Sequence, residues 1–217
     1  MKLEVDPHPL LDAGAFLCHW PAALGDVATF ADLAVRFADP HPPVRTDDAV
    51  RTTVRDLLRV GGFKPTGRSK PASEYLLKAL TNDRLGAINA AVDACNIASV
   101  HSGLPISVVD VDKMTPALRL ALAPAESRYV FNMSGQQIDV SGLIVLMDAE
   151  GPCGGPVKDS QRTKTHEATR CTLSVVWGTS ALVGRTEATV DWYMRLVTEL
   201  GGAVDLIRPA GPTSPLG

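Results

Sequence analysis

Asp93 and Asn96 have the residue types and the spacing for polar chemistry at a pocket. They lie three residues apart in a stretch predicted to be helical, so their side chains share one face of that helix. Buried polar side chains of this kind either satisfy each other and cap a neighbouring loop, or serve a ligand. An asparagine amide both donates and accepts hydrogen bonds, and it would suit the wall of a pocket for a polar substrate. The residues alone leave both interpretations open.

A glycine-rich loop followed by hydroxyls and cations forms a second candidate. Gly154 and Gly155 carry no Cβ, so their backbone amides would let a ligand approach closely. The segment after them is either a solvated loop or a site in which hydroxyls orient water and cations meet phosphate. Its candidate residues are Asp159, Ser160, Arg162, Lys164, Thr165 and Thr169.

Lys64, Arg68 and Lys70 form the first of two basic clusters in chain order, held in an extended conformation by Pro65 and Pro71, and Arg162 and Lys164 belong to the second. Such clusters are commonly solvated loops, but two of them in a chain with a formal net charge of −3 indicate local anion binding. The negative net charge argues against broad, non-specific binding to nucleic acid, because release of counterions rewards a basic surface.

Composition excludes several other classes of protein. The four cysteines show no C-x-x-C spacing, so we expect neither a zinc site nor a disulfide framework, and we expect no metal or other cofactor. Apolar runs fall short of a membrane helix, and the N-terminus lacks the pattern of a signal peptide. We therefore expect a cytoplasmic protein that does not associate with membranes.

The hydrophobic pattern predicts a single α+β domain in which helices pack on a mixed or antiparallel sheet. Helices are predicted over residues 26–37, 49–60, 74–80, 84–100 and 187–200. Strands are predicted over residues 106–111, 128–132, 142–148, 171–177 and 203–207, and residues 151–156 are predicted to form a loop. We interpret residues 1–60 as an N-terminal helical layer, residues 61–207 as the core and residues 208–217 as a flexible tail.

The order of these pieces resembles the B3/B4 domain of the bacterial phenylalanyl-tRNA synthetase beta subunit, over about residues 60–180. The pieces that carry the resemblance are Arg68-x-Lys70-Pro71 before a helix, Val92-Asp93-x-x-Asn96, Gly103-x-Pro105, a strand ending in Asp110, and Gly154-Gly155 before a Thr-rich segment. In the synthetase the domain is an insert in a much larger chain. Here we expect a free-standing domain.

The resemblance implies hydrolysis of the ester bond of wrongly charged tRNA, acting in trans and without a metal. By the resemblance, Asn96 and the backbone of Gly154 and Gly155 line the pocket. Our hypothesis for the catalytic residues is that the Gly154 and Gly155 amides face the ester carbonyl while Asn96, Thr165 or Thr169 holds the water. The substrate-binding residues are Ser107, Asp159, Ser160 and Ser174. The tRNA-binding residues are Lys64, Arg68, Lys70, Arg162 and Lys164, with tRNA as a weakly bound partner.

Two departures from the synthetase leave the amino acid undetermined. Ser107 stands where the synthetase has a histidine, and Ser174 stands nearest to a glutamate that recognises the tyrosine hydroxyl. A non-catalytic module that binds RNA or an amino-acid-like ligand is therefore a second hypothesis. A hydrolase of another small ester or amide, using Cys153 or Ser160, is a third. A deacylase should show both basic clusters beside one pocket.

Overall fold

The structure, a computed structural model, describes residues 1–211, which contain five α-helices and ten β-strands. The helices are α1 (Leu33–Phe37), α2 (Asp48–Arg59), α3 (Ala72–Thr81), α4 (Ala90–Ser102) and α5 (Arg185–Glu199). The strands are β1 (Leu3–Val5), β2 (Leu11–His19), β3 (Ile106–Asp110), β4 (Leu118–Leu122), β5 (Arg128–Val130), β6 (Gln137–Asp139), β7 (Ile144–Asp148), β8 (Gly151–Gly154), β9 (Cys171–Thr179) and β10 (Ala203–Ile207).

The strands form two four-stranded sheets and one hairpin. The first sheet has the order β1-β4-β7-β8, in which β1 runs parallel to β4 and the other pairs are antiparallel. The second sheet has the order β10-β2-β9-β3 and is antiparallel throughout. Strands β5 and β6 pair only with each other among the described residues. The predicted α+β class with mixed and antiparallel sheets is confirmed, although two sheets take the place of one.

Strand β9 lies in the middle of the molecule, and its side chains alternate between two cores. Leu173, Val175 and Trp177 face the first sheet and fill the space between the two sheets. Val176 points to the opposite side, where α4 and α5 cover the second sheet. The protein therefore stacks a sheet, a second sheet and a helical layer.

Helix α4 is the most deeply buried helix and carries the candidate pocket residue Asn96. The Asn89 side chain accepts a hydrogen bond from the Val92 amide (3.0 Å) and starts the helix. Gly103 ends it with a φ of 72°, a left-handed conformation that glycine adopts without strain. All its residues are buried except Val92, and its alanines let α5 and the sheet approach closely.

The N-terminal 60 residues differ from the predicted helical layer because they supply two strands. Strand β2 lies between β10 and β9, and its residues 15–18 are buried on both faces, so the sequence lacks the alternation that marks a half-buried strand. The helix predicted over residues 26–37 is reduced to α1. Thr29 instead lies in a loop and donates a 2.5 Å hydrogen bond to the buried Asp93.

Two further segments differ in detail from the predictions. Residues 151–156, predicted as a loop, contain β8, which pairs with β7 through a register shift. In the predicted tail, Ala210 is hydrogen-bonded to β1, accepting from the Val5 amide at 2.8 Å. Residues 212–217 lie outside the described part of the chain, and the tail prediction for them stays a prediction.

The Gly103 turn is expected to depend on glycine for two separate reasons. A Cβ at Gly103 would lie 2.1 Å from Thr46 Oγ1, in addition to the strain of the left-handed φ. Gly103→Ala should therefore lower the free energy of unfolding by about 3 kcal/mol. Gly62→Ala, with a φ of 87° but nothing within 4 Å of its Cβ, should lose only about 1 kcal/mol. Equal losses in urea unfolding would contradict the steric part of this account.

Candidate functional site

A cavity of about 420 Å³ lies between α3, α4, β3 and the segment of residues 155–165. Apolar side chains form much of its walls, and polar groups from α3, α4 and the 155–165 segment also reach it, as in many small-molecule sites. The apolar lining residues are Ala72, Leu76, Ile88, Val92, Ile106, Val108 and Val157. The polar ones and the thiol are Tyr75, Asn89, Cys95, Asn96, Lys158, Asp159, Lys164 and Thr165.

Asn96 differs from the other buried polar side chains of α4 in having no hydrogen-bond partner among the described residues. Asp93 accepts from Thr29 and from the Ile88 amide (2.9 Å), so it fixes the loop before the helix. Ser99 donates to the Leu104 carbonyl at 2.8 Å. Because buried polar groups are nearly always satisfied, the Asn96 amide at the cavity wall is placed for a ligand. Asp93 and Asn96 thus separate into the two roles that the sequence left open.

The wall opposite α4 is held in place by backbone pairing and by side-chain bonds to α4. Lys164 forms an antiparallel bridge with Val109 at the edge of β3. The Asn89 amide, which also caps α4, donates to Thr165 Oγ1 at 3.4 Å. The predicted site residues Lys164 and Thr165 are therefore brought to the same cavity as Asn96.

Asp159 is a partly buried carboxyl at the polar side of the cavity. Burial raises its pKa to about 6 from its ordinary value of 3.8, because the charged form loses hydration. The neighbouring Ser107 hydroxyl, a hydrogen bond from the Gly155 amide and the nearby charge of Lys164 oppose this rise. The Gly155 amide lies 3.0 Å from Asp159 Oδ1. A carboxyl with this pKa exchanges protons near neutral pH.

Lys164 is the cationic neighbour of Asp159. Burial lowers the pKa of its ammonium, and the attraction of Asp159 opposes that effect. The Lys164 Nζ also donates to the Phe131 carbonyl at 2.5 Å, which fixes its position. The pair therefore presents a proton acceptor and a proton donor at one wall.

Cations from both basic clusters meet near the opening of the cavity. Lys158 lines the cavity, and its pKa is lowered by burial and then by repulsion from Arg68 and Lys164. Arg68 comes from the first cluster and Lys164 from the second. One cation of each cluster lies here, whereas Lys64, Lys70 and Arg162 do not line the cavity, and Lys158 was not among the predicted binding residues.

The predicted glycine amides and the two departure positions lie outside the cavity lining. The Gly155 N–H is taken by Asp159, and Gly154 pairs with Leu146 in the first sheet. Ser107 accepts from Trp177 Nε1 (2.9 Å) and donates to the Gly155 carbonyl (3.3 Å). Ser174 donates to the Tyr193 hydroxyl at 3.0 Å. These residues bind other parts of the protein.

The remaining predicted residues also lie away from the cavity lining. Ser160 accepts from the Arg162 amide (3.3 Å), and Thr169 donates to Asp110 (2.6 Å). The Arg162 guanidinium makes two 2.8 Å bonds to Asp148. Lys64 and Lys70 lie on the first basic cluster, and Lys64 is exposed.

The thiol alternative finds no support in the geometry. Cys153 is fully buried between the sheets, and burial raises the pKa of its thiol to about 12. A thiol in this state is not a nucleophile at neutral pH. Among residues 1–211, no group of three His, Cys, Asp or Glu side chains is arranged to hold a metal ion.

Sequence reasoning missed Tyr75, Asn89, Cys95 and Lys158 as cavity residues. Asn89 had a usable signal, since it lies seven residues, or two helical turns, before Asn96 and so on the same side of the helix. Cys95 had none, because adjacent residues of a helix point about 100° apart. Tyr75 and Lys158 had none, because their positions follow from the packing of α3 against the 155–165 segment. That packing includes the hydrogen bond from the Ala72 amide to the Pro156 carbonyl (2.8 Å).

Comparisons with known proteins identify relatives of this fold. Residues 63–190 match the family model described as the B3/4 domain. The structure is similar to a crystal structure of an N-terminal fragment of the phenylalanyl-tRNA synthetase beta-subunit from Pyrococcus horikoshii, with a TM-score of 0.51 and 12% identity. The match covers 97% of this chain and 52% of that one, so the chain spans about half the length of that fragment. No curated protein matches the chain by sequence.

The similarity to that solved structure shows a common fold.

None of the helices within residues 1–211 has the length and apolar character needed to cross a membrane.

The raised pKa of Asp159 predicts that the free energy of unfolding depends on pH. Between its ordinary pKa of 3.8 and about 6, the native state binds more protons at this group than the unfolded state does. Ionisation of this carboxyl therefore lowers the free energy of unfolding as pH rises, and the whole of this reduction is present above about pH 6. Relative to wild type, Asp159→Asn should gain stability between about pH 4 and about pH 7, measured by urea unfolding.

Asp148→Asn provides a control of opposite sign. Burial acts to raise the pKa of Asp148, but hydrogen bonds from Arg162 and the backbone outweigh it and hold the pKa below its ordinary value. This carboxylate stabilises the protein above its unfolded-state pKa, so its loss should destabilise the protein at about pH 7. A difference between Asp159→Asn and wild type that stays constant with pH would contradict the raised pKa of Asp159.

Proposed function

Since the chain belongs to the B3/4 domain family, and is thus a tRNA-synthetase-related domain, we propose that it hydrolyses the ester bond of mischarged aminoacyl-tRNA in trans. The aminoacyl group enters the cavity, and water attacks the ester carbonyl there. The family membership predicted from the sequence is confirmed. We further propose that this activity takes place in the cytoplasm, where tRNA is charged.

The observation that carries this proposal is that Asp159 and Lys164, on the segment of residues 155–165, and Asn96, on α4, line the same cavity. A carboxyl with a pKa of about 6 is a base matched to neutral pH. An amide without a partner and an ammonium fixed on a backbone carbonyl supply donors beside it. An aminoacyl ester is already activated, so a positioned water and donors for the developing charge are sufficient help.

The reaction divides among these residues as follows. Asp159 accepts a proton from water while the water oxygen bonds to the ester carbon. Lys164 and Asn96 donate to the carbonyl oxygen as it gains negative charge. The bond from the carbon to the ribose oxygen then breaks, and the proton held on Asp159 passes to that oxygen. The products are a free amino acid and a tRNA with its terminal hydroxyl restored.

This assignment changes the roles first proposed for the glycine loop. The Gly155 amide bonds to Asp159 and so holds the base, where the sequence-based hypothesis had it facing the ester. Thr165, fixed by Asn89, takes the role of orienting water. Thr169 is buried against Asp110 and supports the loop.

The apolar walls favour an apolar side chain on the amino acid that is removed. Seven of the lining residues are aliphatic, and burial of apolar surface would supply most of the binding free energy. Ser174, the counterpart of the synthetase glutamate, bonds to Tyr193 and does not line the cavity. Rejection of tyrosine through its hydroxyl is therefore not part of this proposal.

A non-catalytic binding module is the second candidate, favoured by one observation. The backbone amide expected to stabilise the oxyanion is already occupied by Asp159. In this alternative the cavity binds an aminoacyl group or a free amino acid through Asn96, Asp159 and Lys164, with no hydrolysis.

A panel of tRNAs carrying correct and incorrect amino acids should separate the two candidates. We expect the protein to deacylate at least one mischarged species with an apolar amino acid. Asp159→Asn and Asn96→Ala should each lower the rate about 100-fold or more, because one removes the base and the other a donor. Asp205→Asn, the same change on the exposed face of β10, should leave the rate unchanged.

Circular dichroism and thermal unfolding establish that each variant is folded. Absence of hydrolysis across the panel, together with saturable binding of an aminoacyl ligand, would overturn the deacylase proposal in favour of the binding module.

The pH dependence of kcat/KM provides an independent test of Asp159 as the base. The rate should fall on the acid side with a midpoint near the pKa of about 6, since protonated Asp159 cannot accept a proton. The charge of Lys164 lowers the pKa of Asp159, so Lys164→Met should move that midpoint to higher pH. An acid limb that does not move in Lys164→Met would argue against Asp159 as the titrating group.

A further inference from the structure

A second opening adjoins the cavity, and Tyr75 and Lys158 line both. This opening, which we call the groove, has a volume of about 690 Å³. It lies between the turn Gly67–Ser69 and the β5–β6 hairpin, and its lining residues include Arg68, Phe131 and Asp139. The groove therefore continues the cavity along the surface of the protein.

Lys158 is held at the junction of cavity and groove by two aromatic rings. Its Nζ lies 3.8 Å from the centre of the Phe131 ring and 5.6 Å from that of Tyr75. The rings fix the ammonium by cation–π attraction but leave its charge uncompensated, and no carboxylate within residues 1–211 lies within ion-pair distance of it. Partial burial and the repulsion of Arg68 and Lys164 lower its pKa. An anion at this point would relieve that repulsion.

Arg68 is presented to the same region by a fixed turn. The Tyr75 hydroxyl donates to the Gly67 carbonyl at 3.1 Å, which holds the turn that carries Arg68 against α3. The Arg68 side chain is exposed, so its donors are available to a ligand. A planar guanidinium beside a fixed ammonium suits a phosphate, which accepts hydrogen bonds from both.

The groove is not uniformly basic. The Asp139 carboxylate lies in its lining, accepts from the Ser141 amide (2.9 Å) and approaches Arg128 at 3.7 Å. Its negative charge disfavours an anion at that end. A phosphate is thereby directed toward Lys158 and Arg68, next to the cavity.

We propose that the groove binds the single-stranded 3′ end of an RNA, with a phosphodiester at Lys158 and Arg68. The inference rests on the proposed function, because the aminoacyl group of the same 3′ end would occupy the cavity. Cations beside partly exposed aromatic rings are typical of sites for single-stranded nucleic acid, and Lys158, Arg68, Tyr75 and Phe131 supply both here. The ligand is thus a strand that passes through the groove and ends in the cavity.

The test is binding of a fluorescently labelled, uncharged tri-ribonucleotide with the sequence of the tRNA 3′ end, followed by anisotropy. Lys158→Met and Arg68→Gln should each weaken binding about tenfold, because each removes one charged contact to phosphate. Each should also reduce the slope of log K against log salt by about 0.7, the value for one contact to a single strand. Lys113→Met, at an exposed lysine outside the lining of cavity and groove, should change neither.

The outcomes separate this inference from the deacylase proposal, since binding of an uncharged strand requires no hydrolysis. Weaker binding in both groove variants supports the groove even if no substrate is deacylated. Deacylation with unchanged binding in both variants would overturn the groove while leaving the activity. Equal affinity for adenosine monophosphate and the tri-ribonucleotide would overturn the RNA assignment in favour of a free phosphate-bearing ligand.

Discussion

The burial of α4, which leaves only Val92 partly exposed, is the constraint on which the rest of the structure depends. A helix enclosed on all sides must satisfy each of its polar side chains within the protein or give it to a ligand. Asp93 meets this requirement by binding Thr29 and the loop before the helix, and Ser99 by binding the turn after it. Asn96 is left to the cavity. The same burial fixes the start of β3 through the Gly103 turn, and so sets the position of the part of β3 that lines the cavity.

The segment of residues 155–165 shows how the fold keeps a charged pair at a partly dry wall. Burial alone would neutralise both Asp159 and Lys164, since it raises the pKa of the acid and lowers that of the amine. Their mutual attraction opposes both shifts. The segment tolerates this cost because it is fastened elsewhere, at the Cys153 carbonyl by Thr163 (2.6 Å) and at β3 by the backbone bridge of Lys164. Functional sites commonly hold groups that reduce stability in this way.

The sequence was informative where local rules dominate and uninformative where packing decides. Residue type and helical spacing identified Asn96 as a candidate but left its role open, and the family pattern favoured the pocket and supported the α+β fold. Strand β2 was missed because it is buried on both faces, and β8 because glycine and proline dominate it. Ser107 and Ser174 were predicted to bind substrate, yet the structure turns both hydroxyls to partners in the protein. No sequence pattern reveals which face of a buried strand holds the ligand.

Tyr75 belongs to the wall of the cavity and to the wall of the groove, and its hydroxyl anchors the turn between them. Ligands in the two spaces would therefore meet the same side chain. If one ligand orders the Tyr75 ring, the second ligand binds without the entropic cost of ordering it again. Thermodynamic linkage makes such an effect reciprocal. On the proposed reaction, the identity of the amino acid would then alter the affinity for a strand that never touches it, and the protein would sense charged and uncharged ends as different ligands.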